Sequence, residues 1–361
     1  MAMNPKEVAH LRVNGIDYFD WTRVSVEVRV TQAFPIFQFD CTEFDDGLPT
    51  GATQAQIMQN MRIVPGDVVE VYLAGIQIVL GYVTERHVSY DARSHGVRIV
   101  GVGKTYDLAT SSVWTQGGSF DNQSWPQIAQ KLIAPYGISL KTIGALDLKP
   151  YEQAHVQPGE IVWSALERYA RQRKIILGST EKGELLAIGD RQAVETDQLV
   201  EGVNILRANG VIADDNVYHK IYSIGQRASN DQTWGDRSNK LIGQASGSAG
   251  RYRPIVTPMD VSDDQHGAQQ RAEMEKILSE GGKLEFNITV QGWLRETGDL
   301  WRADKFYWVR SPMLLANLLL GCRSVLYEQS NQGGTTTTLT MVDKISLGGR
   351  LDFSGSPPTE K

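Results

Sequence analysis

The chain has 361 residues, 41% hydrophobic and 22% charged, and its 36 Lys+Arg against 42 Asp+Glu give a formal net charge of −6. That apolar content excludes a mainly disordered chain, and the length predicts two or three domains. The acidic balance disfavours a dedicated duplex-DNA binder, which shows a basic excess. The two cysteines, Cys41 and Cys322, exclude a disulfide framework, give no zinc-site spacing and fit folding in a reducing cytoplasm. The N-terminus lacks an apolar signal core. The longest apolar stretch, Met313 to Leu320 broken by Asn317, falls far short of the ~20 residues of a membrane helix, so no membrane anchoring is expected.

The first third reads as β. Val24 to Val30 alternates apolar and polar, as a strand with one buried face does. The turn Pro65-Gly66-Asp67 leads into a hairpin, Val68 to Leu73 and Ile76 to Val83 around Ala74-Gly75. Asp91 to Gly96 reads as a turn and Val97 to Val102 as the next strand, a spacing that suggests a small barrel or sandwich.

The middle is mixed. Ser124 caps an expected helix with Pro126 in its first turn and Ile128, Ala129, Leu132 and Ile133 on one face, ending near Pro135-Tyr136-Gly137. A second helix follows Pro158-Gly159-Glu160, with Ile161, Ala165, Leu166, Tyr169 and Ala170 as its stripe and Arg168, Arg171, Arg173 and Lys174 toward its end. Ile175 to Leu177 and Glu184 to Ile188 form a hairpin.

The last part returns to β. Val217 to Ile224 is a strand candidate, and the Ser, Asn, Gly and Gln-rich residues 228–250 read as a mobile loop. Ser262-Asp263-Asp264 starts a helix through Ala268, Ala272 and Ile277 to Gly281-Gly282. Leu284 to Val290, Phe306 to Val309, Ser324 to Tyr327 and Thr335 to Met341 are further strands, and the tail from Ser354 reads as frayed. Gly66-Asp67 and Gly298-Asp299, each ahead of a β segment, form a short internal echo of the kind a duplicated domain leaves. The fold class is α+β, mainly β: two barrel-like β domains, residues 1–112 and 201–361, flank an α/β module at 113–200, and the second carries the loop and helix insertion at about 228–281.

Chemistry is sparse, and no catalytic, metal or cofactor residues are assigned. Gly101-Val-Gly103-Lys104-Thr105 has Arg98 where a phosphate loop needs its first glycine. The six histidines, His10, His87, His95, His155, His219 and His266, form no close-spaced ligand pair. Cys41 reads as a buried thiol. The pairs Asp45-Asp46, Asp214-Asp215 and Asp263-Asp264 fit turn and capping roles. Trp293, Trp301 and Trp308 sit in an alternating context where packing outweighs a stacking platform.

Several segments together resemble the baseplate hub proteins of contractile-tailed, Mu-like phages, relatives of the late-control tail proteins and of the hub half of type VI secretion spikes. They are Gly81-Tyr-Val83, Gly101 to Leu108, Trp125 to Gly137, Glu160 to Ala170, Gly183 to Leu186, Gly292-Trp293, Gly298-Asp299-Leu-Trp301, Val309, Val325 to Tyr327 and Gly333 to Met341. The resemblance spans roughly residues 10–350. The run Met313 to Leu320 departs from it, and residues 31–62 have no clear counterpart. It implies a non-enzymatic homotrimer in the virion tail, assembled in the bacterial host cytoplasm. That ring would adapt the sixfold tail tube to the threefold central spike and line a DNA passage without sequence-specific binding. The implied partners are the spike, tail tube, baseplate wedge and tape-measure proteins. An acidic lumen that repels phosphates is expected from the net charge. The residues expected at the subunit interface are Trp293, Asp299, Trp301, Leu314, Leu315, Leu318 and Leu319, with filling of the second barrel's core as the alternative for the four leucines. The alternatives are a tail-borne cell-wall hydrolase, marked by a paired-carboxylate cleft, and a host carbohydrate-binding β protein, marked by solvent-facing tryptophans.

Overall fold

The computed structural model describes residues 6–19, 21–42, 63–91, 95–114, 118–226, 240–261 and 263–349. In chain order the first unit comprises β1 (Ala9–Val13), β2 (Ile16–Tyr18), β3 (Arg23–Arg29), β4 (Ile36–Thr42), β5 (Val68–Leu73), β6 (Ile76–Tyr90) and β7 (His95–Gly103). A mixed module follows, with α1 (Tyr106–Thr110), α2 (Trp125–Ile133), β8 (Leu140–Ile143), α3 (Val162–Arg171), β9 (Ile176–Ser179) and β10 (Leu185–Ile188). Next come β11 (Glu195–Val200) and β12 (Ile205–Ile212). An insertion holds β13 (Lys220–Gly225), β14 (Leu241–Ser246), β15 (Pro254–Pro258) and α4 (Gln265–Gly281). The chain closes with β16 (Leu284–Gln291), β17 (Phe306–Ser311), β18 (Ala316–Ser330) and β19 (Gly334–Asp343). The class is α+β, mainly β, as the sequence predicts.

The two β units are one sheet. Its order is β12-β16-β19-β18-β3-β4-β7-β6-β5-β1-β2, with β17 also on β18 and β11 on β17. The joint is the long strand β18. Its first half, Ala316 to Gly321, pairs with β17, and its second half, Ser324 to Ser330, pairs with β3. Period-2 alternation turns one face inward, so Val24, Val26, Phe37, Phe39, Ile99, Val325, Leu339 and Met341 share one buried cluster that runs through both units. The N-terminal segment is stitched across: the buried Glu7 carboxylate accepts from the Trp293 and Leu294 backbone N–H groups at 2.7 and 3.0 Å.

The units repeat each other. In chain order β3, β4, β6, β7 lie side by side as β3-β4-β7-β6, and β12, β16, β18, β19 lie as β12-β16-β19-β18. In both, a hairpin strand, β5 or β17, borders the first half of the long strand. Against the neighbour that runs their length, β7 or β19, both long strands slip register at one place, between Val83 and Glu85 and between Cys322 and Ser324. Both are entered through the same pair of hydrogen bonds: Gly66 N–H to Val83 O with Val83 N–H to Asp67 O, and Asp304 N–H to Cys322 O with Cys322 N–H to Lys305 O. Gly66 and Asp304 both hold positive φ, 96° and 69°. The counterpart of Gly66-Asp67 is therefore Asp304-Lys305, and the echo read at Gly298-Asp299 falls at a different point of the repeat.

Two further expectations need correction. Within the stretch expected as loop, residues 227–239 lie outside the described residues, but Leu241 to Ser246 is a strand, paired with β13. Its polar residues alternate outward while Leu241, Gly243 and Ala245 face α4, so composition hid a period of two. The expected module boundary at 200 cuts through the large sheet, because β11 pairs in parallel with β17. Asp45-Asp46 and the tail from Ser354 lie outside the described residues.

The mixed module has its own core. The α2 start carries a capping box from Ser124 and Gln127. Buried Trp125 donates to Leu166 O at 3.0 Å, and Tyr151 donates to Tyr169 O at 2.7 Å. Strand β9 lies hard against β3, where a Cβ on Gly178 would stand 1.8 Å from Val30 O. The insertion is tied on by Arg173, which is 1% exposed, ion-paired with buried Asp263 and stacked 4.0 Å over Tyr151.

Arg173→Met should cost about 3–5 kcal/mol, since it leaves the Asp263 charge buried alone, and Arg173→Met/Asp263→Leu should restore part of that. Gly178→Ala should cost about 1–3 kcal/mol by overpacking. Denaturant midpoints check both, and a double variant no better than Arg173→Met would contradict the pairing.

Candidate assembly surface

The described residues do not gather catalytic groups. No three His, Cys, Asp or Glu side chains among them stand close enough to hold a metal ion. Asp263 is consumed by Arg173, while Asp264 caps α4 by accepting from His266 and Gly267 N–H groups. Burial alone would raise the Asp264 carboxyl, but hydrogen bonds from Lys149 and those backbone groups hold it below the usual range. Asp214 pairs with Arg251 at 3.0 Å. Gly103 ends β7, and Lys104 spends its ammonium on Gly137 O at 2.7 Å. Burial pushes the Cys322 thiol well above its ordinary value, so it is not poised as a nucleophile. Cys41 is half-buried against the core.

The residues expected at an interface separate into three groups. Trp293, Trp301 and Leu319 belong to the buried cluster, together with Trp308. None of these three tryptophans faces solvent as a sugar or base platform. Leu314 and Leu318 are half-buried against the same core. Asp299 is exposed and pairs with Arg295 at 3.2 Å. Only Leu315 stands free, 82% exposed beside Met313 at 85%, on the turn between β17 and β18. That turn interrupts the apolar run, so its first residues leave the core and the rest re-enter it. The turn is held by Glu201, which accepts from the Ser311 hydroxyl at 2.5 Å and from Met313 N–H at 3.2 Å.

Two sheet edges form a surface that residue type did not flag. Strand β12 pairs with β16 on one side, and no described strand lies along its other side. Leu206, Val211 and Ile212 on it are 53%, 63% and 54% exposed. Strand β6 runs past its partner β5, so beyond Val83 no described strand borders its second edge, although β7 continues along the first. Open edges of this length invite pairing.

Between these edges lies an eight-strand face that no layer of the described residues covers. It carries Thr336, Thr338 and Thr340 on β19, Asn287 on β16, Ser25 on β3 and Gln38 on β4, the positions opposite the buried ones, together with Thr289 of β16, which shares the face but is itself buried. Their polar groups bond to one another: Thr289 and Thr338 hydroxyls at 2.9 Å, and the Thr340 hydroxyl to Asn287 Oδ1 at 2.9 Å. Charges on the face are mostly matched, Arg29 to Glu27, Arg98 to Asp40 and Arg323 to Glu285, while Glu85 lies 2.6 Å from the His87 ring nitrogen. An open cleft of ≈ 590 Å³ crosses it, lined by Arg23, Arg207, Thr289, Glu328 and Thr336 among others.

Known proteins share these parts. Residues 8–103 match the family described as Mu phage baseplate assembly protein GpP-like, N-terminal, and residues 105–189 match the second domain of the gp44-like baseplate hub protein. The baseplate hub protein gp44 of Escherichia phage Mu is 27% identical over 302 residues, 81% of this chain and 76% of that one. The fold is that of the 43 kDa tail protein of prophage MuSo2 from Shewanella oneidensis, with TM-score 0.79, 24% identity and 94% and 99% of the two chains covered. It is also that of a tail protein from Neisseria meningitidis MC58, with TM-score 0.78, 18% identity and 94% and 98% covered. Two segments matched in order by baseplate family models and a hub relative spanning most of its length together support a Mu-like phage baseplate hub protein.

Proposed function

We propose that the chain acts, as a baseplate hub of a phage tail, by forming a non-enzymatic homotrimeric ring that adapts a sixfold tube to a threefold spike and lines the DNA passage. The observation that carries this reading is the repeat and its joint. Within one chain, the long strand of the second unit pairs through Ser324 to Ser330 with the first strand of the first unit. The long strand of the first unit, β6, offers the equivalent edge, and β12 is the equivalent of β3. Head-to-tail pairing of β6 with β12 of the next copy would repeat the internal joint between molecules. Heterologous contacts of this kind form a ring when the rotation from copy to copy closes and a filament when it does not.

Direction and register both favour that contact. Neighbours in the eight strands from β12 to β6 are all antiparallel, so β12 and β6 run oppositely and a further copy continues the alternation. Aligning the two register slips sets Val83 with Cys322, and the ladders then set Val26 with Gly210 and Arg23 with Arg207. In the internal joint Tyr327 faces Val26 and Glu328 faces Ser25. Between copies Val88 would face Gly210, and Ser89 would face Asn209. Three copies give six near-equivalent four-strand units on threefold symmetry, the property an adaptor needs.

The core of each unit lies on one side of the sheet, and a closed wall of this size, about 45 Å across, leaves no room inside for three such cores. The uncovered hydroxyl and amide face would therefore line the passage. Among the described residues it has as many arginines as carboxylates (Arg23, Arg29, Arg98, Arg207 and Arg323 against Glu27, Asp40, Glu85, Glu285 and Glu328). A near-neutral lining thus replaces the acidic one expected from net charge. Spike, tube, wedge and tape-measure partners fit this position, in a virion tail assembled in the host cytoplasm. The buried tryptophans and the consumed aspartates favour neither the sugar-binding nor the hydrolase alternative.

Ser89→Cys/Asn209→Cys should yield a disulfide-linked trimer under oxidation, with neither single variant doing so, read by non-reducing gel and light scattering. Val211→Lys, a charge on the edge, should shift the protein to monomer at least tenfold, whereas Met313→Ser/Leu315→Ser should leave the oligomer unchanged. A trimer that resists Val211→Lys and never cross-links would refute the edge contact.

A further inference from the structure

We propose that the assembled ring carries a belt of six guanidinium groups, Arg23 and Arg207 from each of three copies, that engages the phosphate backbone of nucleic acid in the channel. This rests on the ring reading above, since no single copy makes the belt. The repeat places the two arginines at one level. Arg23 sits opposite Asp40 on β4, and Arg207 sits opposite Thr289 on β16, the counterpart of Asp40. Both are exposed, both lie on the uncovered face, and both line the same cleft.

They differ from the other arginines of that face. Arg29, Arg98 and Arg323 are spent on carboxylates. Among the described residues neither Arg23 nor Arg207 enters an ion pair. Beside Arg23, Asp40 is taken by two bonds from Arg98, at 2.8 and 3.2 Å. Arg207 Nε donates to the Thr289 hydroxyl at 3.2 Å, which orients the stem and leaves its terminal nitrogens for a ligand. The carboxylate in the cleft, Glu328, is not repeated, because its counterpart on β6 is Ser89. The belt therefore holds two arginines for each glutamate.

The chemistry recognised is a dense line of phosphates. A duplex carries one charge per ≈ 1.7 Å of axis, so phosphates stand within reach of the belt at every stage of passage, and guanidinium groups match phosphate oxygens in a forked geometry. No side chain here is placed to read base edges, so the contact is independent of sequence. The otherwise charge-paired wall confines the contact to one level.

The test uses the ring locked through Ser89→Cys/Asn209→Cys, with a short blunt DNA duplex as probe and poly-glutamate as the competing polyanion. Duplex affinity should fall steeply with salt, and Arg23→Gln/Arg207→Gln in the same locked ring should flatten the log–log slope by about 5, as six lost phosphate contacts would. Cross-linked mass shows that the variant ring is intact. An intact variant ring with an unchanged slope, or a ring that holds poly-glutamate and not duplex, overturns the belt alone. If no locked ring forms from the arginine-containing chain, the ring reading fails and the belt with it.

Discussion

The ladder between β18 and β3 is the constraint on which the rest depends. Seven consecutive residue pairs, Ser324–Arg29 to Ser330–Arg23, merge what would be two small sheets into one. The hydrogen bonds themselves contribute modestly, about 1 kcal/mol each. Their larger effect is geometric. They fix the two units at a set angle and stagger, let one apolar cluster run through both, and leave each unit's opposite edge facing outward. Glu7 reinforces the joint from the N-terminus by satisfying two backbone donors in the second unit.

Elements with strong local chemistry could be read from the sequence. The capping box at Ser124, the hairpin at Ala74-Gly75 and the alternation of β3 and β16 each state their structure within a few residues. The elements that escaped were those whose environment is set from afar. Strand β12, Ile-Leu-Arg-Ala-Asn-Gly-Val-Ile, is almost wholly exposed, so no apolar face announces it, and its Asn-Gly reads as a turn. Strand β14 hides among small polar residues because one of its inward positions is Gly243, where a Cβ would stand 1.9 Å from Ala268 O in α4. Its inward face is chosen for closeness, not hydrophobicity.

The repeat was legible only as a misplaced echo, for a physical reason. Its signature is backbone geometry, and different residues meet it. Gly66 and Asp304 both adopt positive φ, and both hairpin entries use the same two hydrogen bonds. On the uncovered face, Arg98 with Asp40 in one unit corresponds to Thr338 with Thr289 in the other, an ion pair against a hydroxyl pair. The interface residues read from sequence fared similarly. Large apolar type marks burial without telling a core from a contact, and Trp293 and Trp301 are core. Edges, which are properties of the backbone, carry no residue type at all.

The stagger of the sheet bears on whether such edges can meet around a ring. A row of paired residues starting at Arg207 crosses Thr289, Thr338 and Leu326 and reaches Glu27, four positions beyond Arg23, the counterpart of Arg207. Each four-strand unit is thus displaced four residues along its strands relative to the last. Four residues rise about 13 Å while four strands span about 19 Å, which sets a strand tilt of about 35° to the ring axis. Closed barrels tilt their strands by about 35–45°. A sheet staggered in the other sense or not at all would bring β12 and β6 together out of register or at the wrong slope. The slope fixed inside one chain by the β18 to β3 ladder falls at the lower end of that range, so the proposed ring of repeated joints asks the sheet for no slope it does not already have, and under that proposal the exposed apolar residues of β12 are an edge for a second copy.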